Sequence, residues 1–246
     1  MSYRRLSAII SILTFVLAVS FLVLKGLNLG VDFTGGTIME VKYAEQANIQ
    51  SIRNTLAEIN LQDAQVQNFG TAKDVLIRLP LRNDLSIAEL SEKVLASLKE
   101  KNSSVEIMRV ESVGAQIGEE LYEDGVLAIL FVCLGIVLYL SFRFEWRFAI
   151  AAIIANMHDV IIILGFFAFF QWEFNLTVLA AVLAVLGYSV NESVVVFDRV
   201  RENFRRMRKS NVEDVINNAI TRTMSRTIMT HLSTQTVVIS MFIFGG

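Results

Sequence analysis

The sequence predicts a polytopic α-helical membrane protein with an inserted α+β ferredoxin-like domain. Three observations carry that reading. Five long segments are almost free of charge, in a chain of 246 residues that is 54% hydrophobic and 19% charged with mean hydropathy +0.52. Soluble domains carry about 25% charged residues. Charge is unevenly spread: residues 28–124 hold nine Lys/Arg against sixteen Asp/Glu, and the rest is net basic. Within that acidic stretch, apolar periodicity switches between 2 and 3.6 in the order β-α-β-β-α-β.

The first apolar run, 6–24, has no charge and is long enough to span a bilayer, which takes about 20 residues. It exceeds a signal-peptide core, and Leu27-Asn28-Leu29 offers no small-residue cleavage site, so it reads as a retained helix. The acidic region then opens with Val31-Asp32-Phe33-Thr34-Gly35-Gly36-Thr37, a junction whose paired glycines permit backbone conformations closed to other residues. It lacks the lysine and spacing of a phosphate loop. Alternation predicts strands over Thr37–Tyr43, Gln65–Phe69, Val75–Leu79 and Val105–Val110, with Gly70-Thr71-Ala72-Lys73 as a turn. Helical spacing marks Ile49–Ile59 and Ile87–Leu98, the second with Ser86 as N-cap and Glu89 completing a capping box.

Four further spans follow. Residues 125–142 are uncharged; 148–172 carry only His158 and Asp159; 174–197 carry only Glu192; 227–244 carry only His231. Lys and Arg gather before the first span, at Arg143 and Arg147, and throughout 199–209, which places these stretches on one face of the membrane. With the N-terminus in the cytoplasm, the acidic domain lies outside. The division is 1–27 for the first span, 28–123 for the outer domain, and 124–246 for spans two to five with a basic cytoplasmic loop over 198–225. That loop suits an anionic lipid surface.

Several chemistries are excluded. A single cysteine, Cys133, leaves no disulfide, cysteine cluster or Cys-x-x-Cys site, and two histidines make no metal cluster. Net charge −2 disfavours nucleic acid as partner. Neither a Ser-His-Asp set nor a nucleotide motif is present, so no cofactor, metal or enzymatic activity is expected.

Ionisable groups inside a membrane are costly and mark function by default. Glu192, six residues before Asp198, is the first candidate, a carboxylate able to take up and release a proton; an interfacial, snorkelling side chain is the competing reading. Arg226 opens the fifth span from the same side and is its expected partner, with a positive-inside anchor as the alternative. His158 and Asp159 lie near the midplane. Neighbours on a helix point about 100° apart, so they are not expected to pair with each other. A proton relay and a helix-packing hydrogen bond stand as equal readings. His231, Ser233, Thr234, Gln235 and Thr236 are read as interhelical hydrogen bonders. Ala180, Ala184 and Gly187 form a small-residue stripe where another helix can approach.

The motifs GVDFTGGT at 30–37, ESVGAQIGEEL at 111–121, HDV at 158–160, GYSVNESVVVFDRVREN at 187–203 and SRT at 225–227 resemble the SecF family. These are the smaller membrane subunits of the bacterial SecD–SecF accessory complex for protein export, in the resistance-nodulation-division superfamily. The resemblance implies a six-helix subunit of the inner membrane with a periplasmic ferredoxin-like domain, of which the sixth helix is absent here, as in a truncated chain. It implies SecD, the SecYEG channel, YajC and preproteins as partners, and use of the proton motive force. It places Glu192 where the family generally has a proton-conducting aspartate, next to Asn191. Arg226 falls on an arginine that faces a SecD carboxylate. Asp198 and Arg199 are implied to cap the fourth helix, Gly35 and Gly36 form the conformationally important pair, and Asp32 and Gly187 fall inside motifs. A small-molecule or lipid exporter of the same superfamily, and a scaffold that only stabilises a translocon, are the competing classes.

Overall fold

The computed structural model describes residues 4–69, 71–81, 87–144 and 146–244. Five helices among them are long and apolar enough to cross a membrane: α1 (Arg4–Lys25), α5 (Ala115–Arg143), α6 (Trp146–Phe170), α7 (Leu176–Arg206) and α8 (Val212–Phe244). Each is longer than its apolar run. The fourth span does not stop at Asp198, as expected from FDRVREN, but continues to Arg206. Asp198 there ties α7 to Arg143 of α5, and Arg199 pairs with Glu202 one turn on, so both lie inside the continuing helix instead of capping it. Likewise the amphipathic 211–225 stretch and the fifth span form one helix, α8.

The chain divides into two compact units, one of residues 1–26, 131–170 and 180–246, the other of 27–130 and 171–179. The second contains β1 (Asn28–Leu29), α2 (Val31–Thr34), β2 (Gly36–Lys42), α3 (Ile49–Glu58), β3 (Gln65–Phe69), β4 (Thr71–Leu79), α4 (Ile87–Lys101), β5 (Glu106–Val113) and β6 (Glu173–Phe174). Its four-stranded sheet has the order β3-β4-β2-β5, antiparallel throughout. Counted within the inserted domain that order is 2-3-1-4, the ferredoxin-like arrangement. Alternate residues Met39, Val41, Val75, Ile77 and Leu79 are fully buried against Ile52 and Leu56 of α3 and Leu90, Val94 and Leu98 of α4. The period-2 and period-3.6 patterns therefore meet in one core. Asn48 caps α3 by accepting from the backbone N–H groups of Gln50 and Ser51. The expected turn at 70–73 is shorter than read: Thr71 already pairs with Phe69, so Thr71, Ala72 and Lys73 belong to β4. Gly70 and the expected cap Ser86 lie outside the described residues.

Tyr43 follows β2 and is 6% exposed; burial pushes its phenol from 10.0 up to about 12. The folded state thus holds this proton more tightly than the unfolded one. The resulting stabilisation is complete below pH about 10 and is lost as pH climbs toward about 12. Thermal unfolding of the Tyr43→Phe variant across pH 9–12 is expected to show less alkaline destabilisation than the parent.

The segment 171–175 does more than link two spans. β6 pairs in parallel with β1, and Arg78 of β4 binds both Glu173 and the carbonyl of Leu29. Asp32 accepts from the backbone N–H of Leu176, and Asn175 from that of Val178, so the first turn of α7 is capped by two side chains, one of them from the glycine junction. Gly35 has φ +69°, and a Cβ on Gly118 of α5 would lie 2.8 Å from its nitrogen. Phe33 stacks near Phe174 at 6.1 Å.

In the other unit α1 packs along α6. Their closest approach is at Gly165, where a Cβ would come 2.6 Å from Cα of Ala18. Gly165→Leu is expected to prise these helices apart and cost on the order of 3 kcal/mol. Gly135→Leu, with nothing within 4 Å, serves as the matched control in thermal denaturation of the detergent-solubilised chain.

Candidate functional site

Glu192 lies in the middle of α7, partly buried, and its carboxylate meets α8. Thr227 donates a short hydrogen bond to Oε1, and the Thr230 hydroxyl stands 3.5 Å from Oε2. Thr227 and Thr230 are three residues apart and share a helix face. The expected Glu192–Arg226 ion pair is not formed among the described residues. Arg226 shares a helix face with Thr230, four residues on, but its side chain is turned to solvent and not to the carboxylate. Arg226 is exposed and lines a cleft with Asn191.

A hydroxyl can donate or accept, and a carboxyl group can do either once protonated. Thr230 also reaches the carbonyls of Arg226 and Thr227, at 3.1 and 2.9 Å. The hydrogen bonds around Glu192 can therefore reverse direction when the carboxyl gains a proton, leaving no buried polar atom stranded.

One turn before Glu192 on the same helix, Ser189 donates to Oδ2 of Asp159 at 2.7 Å. Asp159 Oδ1 is 3.4 Å from Nδ1 of His158, and Nε2 of His158 is 2.7 Å from the Ser11 hydroxyl. The expectation that His158 and Asp159 do not pair is thus corrected. The 100° offset is spanned because the imidazole turns toward α1, stacked on Phe15 at 5.7 Å, with its other nitrogen beside the carboxylate. The result is a polar chain from α1 through α6 to α7: Ser11, His158, Asp159, Ser189. Ser11, Ser189 and Thr227 are not singled out by sequence, since Ser and Thr are ordinary in membrane helices; Thr230 is legible there only as sharing a face with Arg222 and Arg226. Asn156, 3% exposed with an unpartnered Oδ1, was also missed inside an apolar run.

Other expected residues stand apart. Gly187 has nothing within 4 Å of where a Cβ would be, and Ala180 and Ala184 are exposed, so the small-residue stripe faces away from this chain's own helices. Residues 231–240 of α8 are exposed all round. His231 sits edge-on to Tyr188 at 5.4 Å, while Thr236 bonds back to the carbonyl of Leu232, and no interhelical hydrogen bond of this segment is found among the described residues. No group of three or more His, Cys, Asp or Glu able to hold a metal is found among the described residues.

The family model "Protein export membrane protein SecD/SecF, C-terminal" matches residues 93–246, and "SecD/SecF GG Motif" matches 20–47. The protein translocase subunit SecF of Vibrio alginolyticus is 46% identical over 100% of this chain and 78% of its own length. The chain belongs to the SecF family. SecF of Pseudomonas aeruginosa is 43% identical over 100% of this chain and 80% of its own length. The crystal structure of SecDF from Thermus thermophilus, described as a translocon-associated membrane protein, superposes with TM-score 0.90 at 33% identity over 100% of this chain. SecDF in the super-membrane-facing form superposes at 0.70 and 34% identity. The chain spans 34% of the length of each of those SecDF chains. The SecD/SecF C-terminal match embraces every residue of the Glu192 seam and of the polar chain except Ser11, and the glycine-motif match holds Asp32, Gly35 and Gly36. The curated relatives are named as translocase subunits, a transport role. With five spanning helices, this is a multi-pass membrane protein.

Proposed function

We infer that the chain works as the SecF subunit of the Sec export machinery, in the bacterial inner membrane, with its N-terminus in the cytoplasm and its 28–123 domain in the periplasm. SecD is its obligate partner, YajC an associated one, and SecYEG the channel whose preproteins it helps pull across and release. The positive-inside distribution of Arg and Lys supports the orientation. The exposed α8 and the open Gly187 stripe support a neighbour in the membrane.

The observation that carries the reading is Glu192 held by Thr227 across the α7–α8 seam in a chain similar to SecF from end to end. When ionised, Glu192 accepts from Thr227 in a charge-assisted bond. When neutral, it sheds the desolvation cost of a carboxylate, and its hydroxyl can donate back. Each state favours a different spacing of the two helices, so protonation shifts the population between them. One proton crossing about 150 mV delivers about 3.5 kcal/mol, ample for such a shift. Ser11, His158, Asp159 and Ser189 form the proton's approach to Glu192. Gly35, Gly36 and Asp32 fix the join between the glycine junction and the start of α7.

The test is pulse-chase export of a secreted precursor in cells depleted of their own SecF and supplied with this protein, with the proton motive force intact or collapsed. Restored export that is lost on collapse supports the reading. Restored resistance to small molecules with export unchanged would assign the chain to the exporter class.

A further inference from the structure

At the basic end of α7 and α8 lies an open cleft of about 850 Å³. Arg143, Arg199, Arg201, Arg205, Arg222 and Arg226 line it, against two carboxylates, Asp198 and Glu202. Both carboxylates are engaged. Asp198 holds Arg143 at 2.7 Å, and Glu202 holds Arg199 at 2.5 Å and Arg206 at 2.9 Å. Arg201, Arg205, Arg222 and Arg226 make no ion pair among the described residues. Arg201 is the most telling of these: its Nε is buried and has no hydrogen-bond partner. A buried charge-bearing donor without an acceptor is costly, and native proteins rarely leave one unmet.

We propose that this cleft binds the phosphate of an anionic phospholipid headgroup. Guanidinium forks match phosphate oxygens two at a time, with spread charge that a carboxylate-poor cleft leaves free. The apolar wall settles the choice between a lipid and a free phosphate ion. Val194 and Val195 line the same cleft beside the arginines, at the point where α7 leaves its apolar stretch. An amphiphile meets both surfaces at once; a free ion uses only the arginines. Basic pockets between membrane helices bind such headgroups by the same logic. A bound phosphate bridging Arg201 and Arg205 of α7 to Arg222 of α8 would tie together the two helices that Glu192 and Thr227 join further in, about two and a half turns along α7 from Arg201 and about one and a half along α8 from Arg222. This goes beyond a general attraction of the 199–209 stretch to the membrane surface, because it assigns the effect to the cleft and not to net charge. It stands whichever way the chain is oriented, so its failure and the failure of the export reading are separable.

The experiment is native mass spectrometry and thermal denaturation of the full chain, delipidated and returned to phosphatidylcholine alone or with phosphatidylglycerol or cardiolipin. Arg201→Gln/Arg205→Gln is compared with Arg208→Gln/Lys209→Gln, which removes equal charge outside the cleft. The proposal expects the parent and the outside variant to retain anionic lipid over phosphatidylcholine, with retention falling about tenfold in the cleft variant. Equal losses in the two variants, or no loss in the cleft variant, would overturn it. Millimolar inorganic phosphate stabilising the parent as much as the lipid does would also overturn it, in favour of a soluble anion. Should the double variant fail to fold, Arg222→Gln alone reads the same cleft, with Arg222→Lys expected to restore part of the retention.

Discussion

Glu192→Gln is expected to leave the protein folded and assembled while reducing proton-driven export about tenfold or more. The amide keeps the shape and an acceptor for Thr227, and the Thr227 hydroxyl can adapt to it, so stability changes by less than about 1 kcal/mol. What is lost is the carboxyl group proposed to take up the proton. About 3.5 kcal/mol per proton then has no carboxyl group through which to act. Glu192→Asp retains a titratable group one methylene further from Thr227 and is expected to recover part of the rate. Export by pulse-chase at matched membrane levels of both subunits checks this. A Gln variant that exports at the parental rate would make Glu192 a packing residue.

Gly36→Ala is expected to destabilise the protein by on the order of 3 kcal/mol. Gly36 has φ +130°, a region L-residues rarely adopt, and an added Cβ would fall 2.6 Å from the carbonyl oxygen of Leu79. That oxygen belongs to the β2–β4 ladder, where Thr37 pairs with Leu79. Backbone cannot yield there without breaking the register that buries Met39, Val41 and Ile77. Gly114→Ala, with open space around it, is expected to change stability by less than about 0.5 kcal/mol. Thermal denaturation of the two variants side by side checks the difference.

The long elements were legible because periodicity and charge speak over many residues. Five apolar runs gave five helices, and Ile52, Leu56, Leu90, Val94 and Leu98 marked the helix faces that cover the sheet. Short, nonlocal features were not legible. β1 and β6 have two residues each and exist only because positions 28–29 and 173–174 meet in space. Asp32 as a cap for α7, 144 positions away, follows from that same meeting. The resemblance implies Asp198 and Arg199 as caps, yet both lie inside α7, where their partners are Arg143 of α5 and Glu202 one turn on. Glu192 and Asp159 stood out as charges in apolar runs. Their hydroxyl partners did not, and Thr227 with Thr230, not Arg226, stands opposite Glu192.

The account turns on Glu192 changing its protonation state within the seam. Infrared difference spectra of the protein with its SecD partner, carrying labelled glutamate and stepped through pH, read this directly. A protonated-carboxyl stretch that appears as pH falls, shifts in Thr227→Val and is missing in Glu192→Gln is the predicted result. Spectra of the parent and of Glu192→Gln that titrate identically would contradict the account.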